Sequence, residues 1–541
     1  MSVENLYLLI LFLILPLYAP SGYVGLGDAK ARLYIVCSAL FMLFFAVRWV
    51  IRLAKRTSAG CYASLPKKGH LFKVHLDFPL ETLDSCNGTN GNRKGMVLLW
   101  RLIVLLLILS LWISSALSGY FADAWSGADG WMMGLFVQSL SLGFALVYSF
   151  PPSGSKNTRK RHVREYLYAG GVITILLGIL NRFRVYPLSY MGIDYTYLST
   201  IGNIDWFCGY LSVIVPFAMG DLYLSRIKML EEKGSGSGKD LGKKAGKILA
   251  LEVFTALSFL LLILLGTESS YLILGICFLT MAAVSAGNRA GCVAFLEQGM
   301  LFGILPGILH WLLSSNVLTM DFYLYENPQG ISWRLIQEWY GYALAFAAIA
   351  FCVWLYEIRK RSACNGILPC RVLLRFIETI CIVGLLALLL GQLILPNWYS
   401  DAFGSYRGLI WKTCSQIYHS LPFHQKLFGI GPDCVYRYLV DHPDYRSILL
   451  NRFGMDIMNA HSVLLNRLLT TGLAGTVLFL ILIVAALRIF NQQRRFLPYI
   501  LMLLSYLSVG TVLFEQILCL PYLLLLLGTG IGEFSSSSPA S

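Results

Sequence analysis

Runs of about twenty apolar residues alternate along this chain with short polar connections rich in lysine and arginine. A helix at a soluble surface keeps a polar stripe, whereas most of these runs are apolar on every side, as helices embedded in lipid must be. About twenty residues at 1.5 Å each cross the roughly 30 Å hydrocarbon layer. The apolar windows predict about fourteen helices, centred near residues 13, 42, 107, 140, 173, 215, 257, 278, 302, 346, 384, 480, 506 and 524. The expected fold is all-α and polytopic, one integral membrane domain over residues 1–533. The first run, Leu6 to Tyr18, lacks a basic leader and a small-residue cleavage site, so it reads as a first helix and not as a removed signal.

Three segments interrupt the pattern. Residues 225–247, with Gly-Ser-Gly-Ser-Gly at their centre, read as a flexible cytoplasmic linker, and the serine-rich residues 534–541 as a disordered tail. Residues 396–460 form a large polar loop between apolar runs, and loops of that length are uncommon unless they carry function.

Hydrophobic residues make up 57% of the chain and charged residues 13%, with a formal net charge of +14. So basic a chain could bind nucleic acid, but its Lys and Arg lie in short clusters between apolar runs, where they set topology. With a cytoplasmic N-terminus, the inner connections hold Lys55, Arg56, Lys67 and Lys68, then 156–164, 226–247, Arg289, 359–371 and 488–495. The outer ones around Asp123 and Asp129, Thr267 to Ser270 and Asp321 to Glu326 are neutral or acidic. The large loop falls outside, and its many arginines need a separate reason. Asn87-Gly-Thr matches a glycosylation sequon but lies on the inner side. The cysteines show no Cys-x-x-Cys pair, which argues against a zinc site, and Cys414 and Cys434 are the two that share the large loop.

His461 stands where the large loop meets the next helix. An imidazole can take a proton from a hydroxyl near neutral pH, although a histidine at this depth can also simply cap or snorkel. His419, His424 and His442 lie among polar residues and read as solvated. Arg407, Arg182 and Arg184 fall on the same outer face, and guanidinium groups grip phosphate oxygens bidentately without losing charge. Ordinary interfacial snorkelling is the alternative, as strong a reading for Arg182 and Arg184 but a weaker one for Arg407. Asn203 opens the sixth helix, where free N–H groups favour an anion and where it could equally cap the helix. Arg101, Glu252, Glu297, Glu338 and Glu378 lie within spans, and Glu297 either pairs inside the bundle or belongs to an ion path. The outer loops hold no Asp-x-Asp pair, so a metal-dependent nucleotide-sugar enzyme is not indicated.

Three segments resemble the O-antigen ligase and polymerase superfamily (Wzy/WaaL-like) of membrane glycosyltransferases, over about residues 200 to 480. They are Ile201-Gly-Asn-Ile-Asp-Trp-Phe-Cys-Gly-Tyr-Leu211; Ser405-Tyr-Arg-Gly-Leu-Ile-Trp411 with Leu427-Phe-Gly-Ile-Gly-Pro432; and Ala460-His-Ser-Val-Leu-Leu-Asn466 with Thr471-Gly-Leu-Ala-Gly475. The resemblance implies a GT-C-like fold with short helices in the external loop. It also implies a metal-independent and cofactor-free enzyme in the plasma membrane with an extracytoplasmic site. Such an enzyme moves a glycan from an undecaprenyl-diphosphate donor to a hydroxyl on a glycan, lipid or protein acceptor. By resemblance His461 is the base, Arg407 and Arg182 or Arg184 contact the diphosphate, and Asn203 and Asn466 line the substrate. Two departures stand out: the family's Asn after the histidine is Ser462, and its Ser-Arg at a middle helix is Thr267-Glu-Ser-Ser-Tyr271, without arginine. The alternative is a transporter or flippase for a lipid-linked glycan, for which Glu297 and Arg101 would matter.

Overall fold

The computed structural model describes residues 2–61, 89–151, 162–234, 241–286, 288–315, 330–343, 346–347 and 368–536. Lys67, Lys68, the Asn87 sequon, the 321–326 connection and most of the helix expected near 346 lie outside the described residues, as do the side chains of Lys55 and Arg56.

The chain is almost wholly helical. In order, α1 spans Val3–Leu17, with one π-helical turn at Ile10–Ile14; α2 Leu26–Cys61, α3 Thr89–Leu117, α4 Phe121–Ser126, α5 Leu135–Tyr148 and α6 Val163–Arg182 follow. A two-residue hairpin pairs β1 (Tyr197–Leu198) antiparallel with β2 (Gly202–Asn203). Then come α7 Ile204–Gly234, α8 Leu241–Leu265, α9 Glu268–Ser285, α10 Arg289–Ser314, α11 Ile331–Gln337 and α12 Leu368–Ile394. The large loop carries α13 Phe403–Ser420, α14 Phe423–Phe428, α15 Val435–Asp441 and α16 Pro443–Phe453. The chain closes with α17 Val463–Thr470, α18 Gly472–Phe490, α19 Leu497–Val509 and α20 Leu520–Ser536.

Among the described residues, nine helices are long and apolar enough to cross a membrane, fewer than the fourteen expected. The difference lies in α1, α5, α19 and α20, which sit at predicted centres but are shorter, and in the helix near 346. With 13 residues, α19 is about 20 Å long at 1.5 Å per residue. Its surroundings are protein: every residue of α19 except Ser508 is buried. A helix enclosed by other helices has no lipid to match, so its length is not set by the bilayer.

The bundle is therefore arranged around α7, α19 and α20, while α2 and α12 turn leucine, valine and phenylalanine side chains outward. Small residues allow the inner contacts. On α20, Gly528 and Gly532 lie one turn apart, and a Cβ at either would run into the Ala145 or Tyr148 carbonyl of α5. Helices in lipid associate through such close approach, because apolar contact alone gives them no preference over lipid.

Two boundaries are corrected. Residues 225–247 are not a loose linker throughout: α7 continues to Gly234 and α8 begins at Leu241, with Lys244 clasping Glu232 at 2.6 Å. The Lys, Glu and Leu residues flanking the Gly-Ser run are good helix formers, so only 235–240 lies outside the described residues. Similarly, α20 carries on through buried Phe534 to Ser536.

Side-chain contacts sort the connections into two sets. At one end, Arg164 joins Asp221 and Glu533, Arg226 joins Glu252 and Glu297, Arg494 approaches Glu231, and Asn491 holds Glu378. At the other, Tyr23 reaches Ser199, Asp28 holds Gly130, Asp433 holds Ala128 and Met133, and Arg407 meets Asp205. This is the division that the alternation of basic and acidic connections expects.

Candidate active site

At the second end, three connections converge on His461. The chain enters it through Asn459, whose Oδ1 accepts the His461 N–H at 3.0 Å, and leaves through Asn466, whose Oδ1 accepts the Ala460 N–H at 3.1 Å. His461 itself has φ 47°, the left-handed region that an L residue enters at a cost of about 1–2 kcal/mol. Its ring stands edge-on to Phe514, centroids 5.1 Å apart, and its nitrogens have no hydrogen-bond partner among the described residues. Burial, and secondarily the nearby Arg407 cation, lower its pKa to about 4. The imidazole is thus neutral, with a lone pair free to accept a proton.

Arg407 is delivered by an unusual turn. Gly404, Ser405 and Tyr406 are all left-handed, and regular helix begins only at Arg407. Gly408 has to be glycine, because a Cβ there would overlap the Ser400 carbonyl. The guanidinium donates from Nε to the Val512 carbonyl at 2.7 Å, from Nη1 to the Gly404 carbonyl at 2.7 Å and from Nη2 to Asp205 Oδ2 at 3.2 Å. Three of its five N–H groups are engaged, leaving two to present to a ligand.

The wall around this pair is aromatic and acidic. Trp131 packs on Trp206 and meets Phe514 edge-on. Trp131 is held there because its loop is pinned twice: Asp28 accepts the Gly130 N–H at 2.6 Å, and Asp433 Oδ2 accepts from Ala128 at 2.9 Å and Met133 at 3.0 Å. Burial lifts the Asp433 carboxyl to about 7 despite those two N–H donors. Glu268, the first residue of α9 after the Thr267 cap, is close enough to Asp205 for their charges to repel.

The glycine motifs have a structural role. Ile430 donates to the Leu469 carbonyl at 2.9 Å and Gly431 to that of Thr470 at 3.0 Å. A Cβ on Gly429 would overlap Thr470, and one on Gly472 would overlap Leu427. The two segments thus lie backbone against backbone, and they brace the large loop onto the helices that follow His461.

The other expected site residues part company. Arg182 is fully buried at the end of α6 and donates to the Tyr195 carbonyl at 3.4 Å; Arg184 is exposed, with no hydrogen bond or ion pair to Arg407 or His461. Asn203 caps α7, its Oδ1 accepting the Trp206 N–H at 2.9 Å. Asn466 is likewise committed to backbone, because the tight turn at Ala460 needs its donor satisfied. Asp205, Glu268, Phe514 and Trp131 were not anticipated. Asp205 was in plain view two residues after Asn203, where a carboxylate in a first helical turn reads as a dipole contact; Phe514 sits in an apolar connection with nothing to mark it.

Most of the loop's arginines answer to neighbouring carboxylates: Arg446 to Asp456 at 2.7 Å twice over, Arg452 to Asp401, and Arg437 to Asp441. His419 and His442 are not merely solvated, since their ring nitrogens bond the Leu393 and Tyr438 carbonyls. Cys414 and Cys434 are free. Within the spans, Glu297 pairs with Arg226 at 2.5 Å, while Arg101 bonds Ser149 and lies over Phe150. Glu297 therefore has the partner within the bundle that a structural role expects, whereas Arg101 has no carboxylate partner among the described residues. Glu252 shares Arg226 at 3.7 Å, and Glu338 ends α11 at the surface.

No protein-family model matches the chain, and comparison with curated proteins and with solved structures returned no similar protein.

Proposed function

We propose that this chain is a metal-independent membrane glycosyltransferase of the O-antigen ligase or polymerase type. It acts in the plasma membrane and on the extracytoplasmic face. Its donor is a glycan on undecaprenyl diphosphate and its acceptor is a hydroxyl of a glycan, lipid or protein. The observation that carries this reading is a strained, neutral imidazole beside an arginine whose fork keeps two N–H groups unused.

In the reaction, the acceptor oxygen attacks the anomeric carbon of the donor sugar. The bond from that carbon to the diphosphate oxygen breaks, and the diphosphate departs with the electron pair. His461 takes the hydroxyl proton, and Arg407 offsets the charge gathering on the leaving group. Burial is the larger cause of His461's depression, but phosphate near Arg407 also offsets the smaller part that comes from that cation, so the base strengthens somewhat when the donor is seated. Asp205 and the Val512 carbonyl fix the fork. Arg182 and Asn466 act here through the backbone they hold, and Arg184 is free to reach an approaching phosphate.

The test is transfer in vesicles carrying a polyprenyl-diphosphate-linked glycan. His461→Ala should lower the rate by about 10²–10⁴ with unchanged membrane insertion. Arg407→Lys should lose most activity, because an ammonium cannot supply the planar fork. Full activity in His461→Ala would eliminate the base and the mechanism with it.

A further inference from the structure

At the end of the bundle opposite His461, the start of α12 and the end of α18 stand apart around a cavity of about 220 Å³, lined by Leu374, Arg375, Arg488, Asn491 and Gln492. One side-chain pair bridges the gap: Asn491 Nδ2 donates to both oxygens of Glu378, at 2.8 and 2.6 Å. That clasp draws the buried carboxylate to the asparagine. Arg375 and Arg488 are both exposed, and among the described residues neither guanidinium makes a hydrogen bond or an ion pair within 4 Å, although the Glu378 carboxylate lies within Coulombic reach of Arg375. Elsewhere at this end Arg164 is answered by Asp221 and Arg226 by Glu297. Among the described residues the Gln492 side chain donates to the soft Met96 sulfur alone, at 3.1 Å, so its amide can turn to a stronger acceptor.

We propose that this cavity binds the phosphate of an anionic lipid headgroup, with Arg375 and Arg488 as its two cationic contacts and Gln492 as a neutral donor. A tetrahedral anion suits two guanidinium forks, and basic recesses between helices on the cytoplasmic side are where such headgroups bind. A lipid fits better than free phosphate because the recess continues onto bare apolar surface. Leu373, Phe376, Ile380 and Val383 on α12 are 40–60% exposed and follow a helical face away from Arg375. Acyl chains would lie along them. By the charge pattern this is the cytoplasmic end, the leaflet where anionic lipid attracts basic groups.

The experiment is native mass spectrometry of the full chain, delipidated in detergent and titrated separately with phosphatidylglycerol, phosphatidylcholine and inorganic phosphate. Wild type should retain phosphatidylglycerol over phosphatidylcholine. Arg375→Gln and Arg488→Gln should each weaken that binding roughly fivefold, and the double variant about 25-fold. Arg289→Gln, an exposed cation at the same end but outside the cavity, should leave it unchanged. Both cavity arginines are solvent-exposed, so folding is not at stake, and an unaltered unfolding temperature verifies it. Equal binding by wild type and the double variant, equal weakening by Arg289→Gln, or no preference for the anionic lipid would each overturn the proposal. Displacement of the lipid by millimolar inorganic phosphate would reassign the site to a free anion and overturn the lipid claim.

Discussion

Replacing Gly472 by alanine tests whether the large loop is locked to the bundle by backbone contact. Two penalties act at this position. Its φ is +66°, where an alanine pays about 1–2 kcal/mol. In addition, the new Cβ overlaps the Leu427 carbonyl, which is main chain and cannot rotate away. Restoring a carbon–oxygen separation near 3.5 Å requires the 427–431 segment to move off by roughly 1 Å. That displacement breaks the bonds from Ile430 to Leu469 and from Gly431 to Thr470. Overpacking of this kind costs about 1–3 kcal/mol, so Gly472→Ala should destabilise by about 2–5 kcal/mol in total. Gly454→Ala separates the two penalties. Its φ is +80°, but nothing lies within 4 Å of the added carbon, so it should cost about 1–2 kcal/mol only. Gly429 and Gly472 face each other across one contact, so the double alanine variant should cost less than the sum of the singles. Chemical denaturation of the detergent-solubilised protein, followed by tryptophan fluorescence, measures all four. Equal midpoints for Gly472→Ala and Gly454→Ala would show that the brace does not exist.

Arg467 and Glu515 form a pair at 2.6 Å, each about 7% exposed, with Tyr506 donating to the same carboxylate. Arg467→Met alone should cost about 3–5 kcal/mol because it strands a buried charge, whereas Arg467→Met with Glu515→Leu should recover most of that; a double variant as unstable as the single would contradict this. Because His461 is held near 4 by burial and by Arg407, the acid limb of kcat/KM should lie well below the ordinary 6.5, and Arg407→Gln should raise it part of the way; a wild-type limb at 6.5 would refute the burial argument. The same shift makes the sign for stability definite. The unfolded chain takes up the proton near 6.5 and the folded one only near 4, so His461's contribution is intact above 6.5 and is lost as pH falls toward 4. Glu268 repels Asp205 beside Arg407 and would repel a diphosphate bound there, so Glu268→Gln should lower the donor KM about two- to fivefold while leaving kcat near wild type, and an unchanged KM would place the diphosphate elsewhere.

The helices and the alternation of their ends were legible in the sequence because lipid imposes one rule on every span, and that rule is written in each run of apolar residues separately. What eluded it depends on contacts between segments. α19 reads as a span by composition, yet it is too short to cross alone and is sheathed by other helices, which no local window reveals. His461 and Arg407 could be named from their motifs, and the structure sets them side by side. Arg182 shared their predicted face but was drawn under the 195 loop, because being on one face does not fix distance. Asp205 was hidden by its resemblance to a capping residue, and Phe514 by having no polar atom. The glycines of the two loop motifs were visible as a pattern, but their reason, two backbones in contact, appears only once the chain is folded.

The two ends of the bundle divide strain and charge between them. At the end bearing Arg164, Arg226 and Arg494, those three cations are met by carboxylates, and no described non-glycine residue has positive φ. At the other end lie all seven that do: Met132, Arg184, Ser199, Ser405, Tyr406, Asp433 and His461. At about 1–2 kcal/mol each, these conformations together cost on the order of 10 kcal/mol, comparable to the whole stability of an ordinary domain. Packing alone gives no reason to place every such residue at one end. Residues held against their preference gather where side chains must be aimed. Here they deliver Arg407 from a left-handed turn and place His461 directly on one, while Asp433 pins the loop that carries Trp131. The strain therefore marks the same place as the imidazole and the guanidinium, and it does so without reference to any motif.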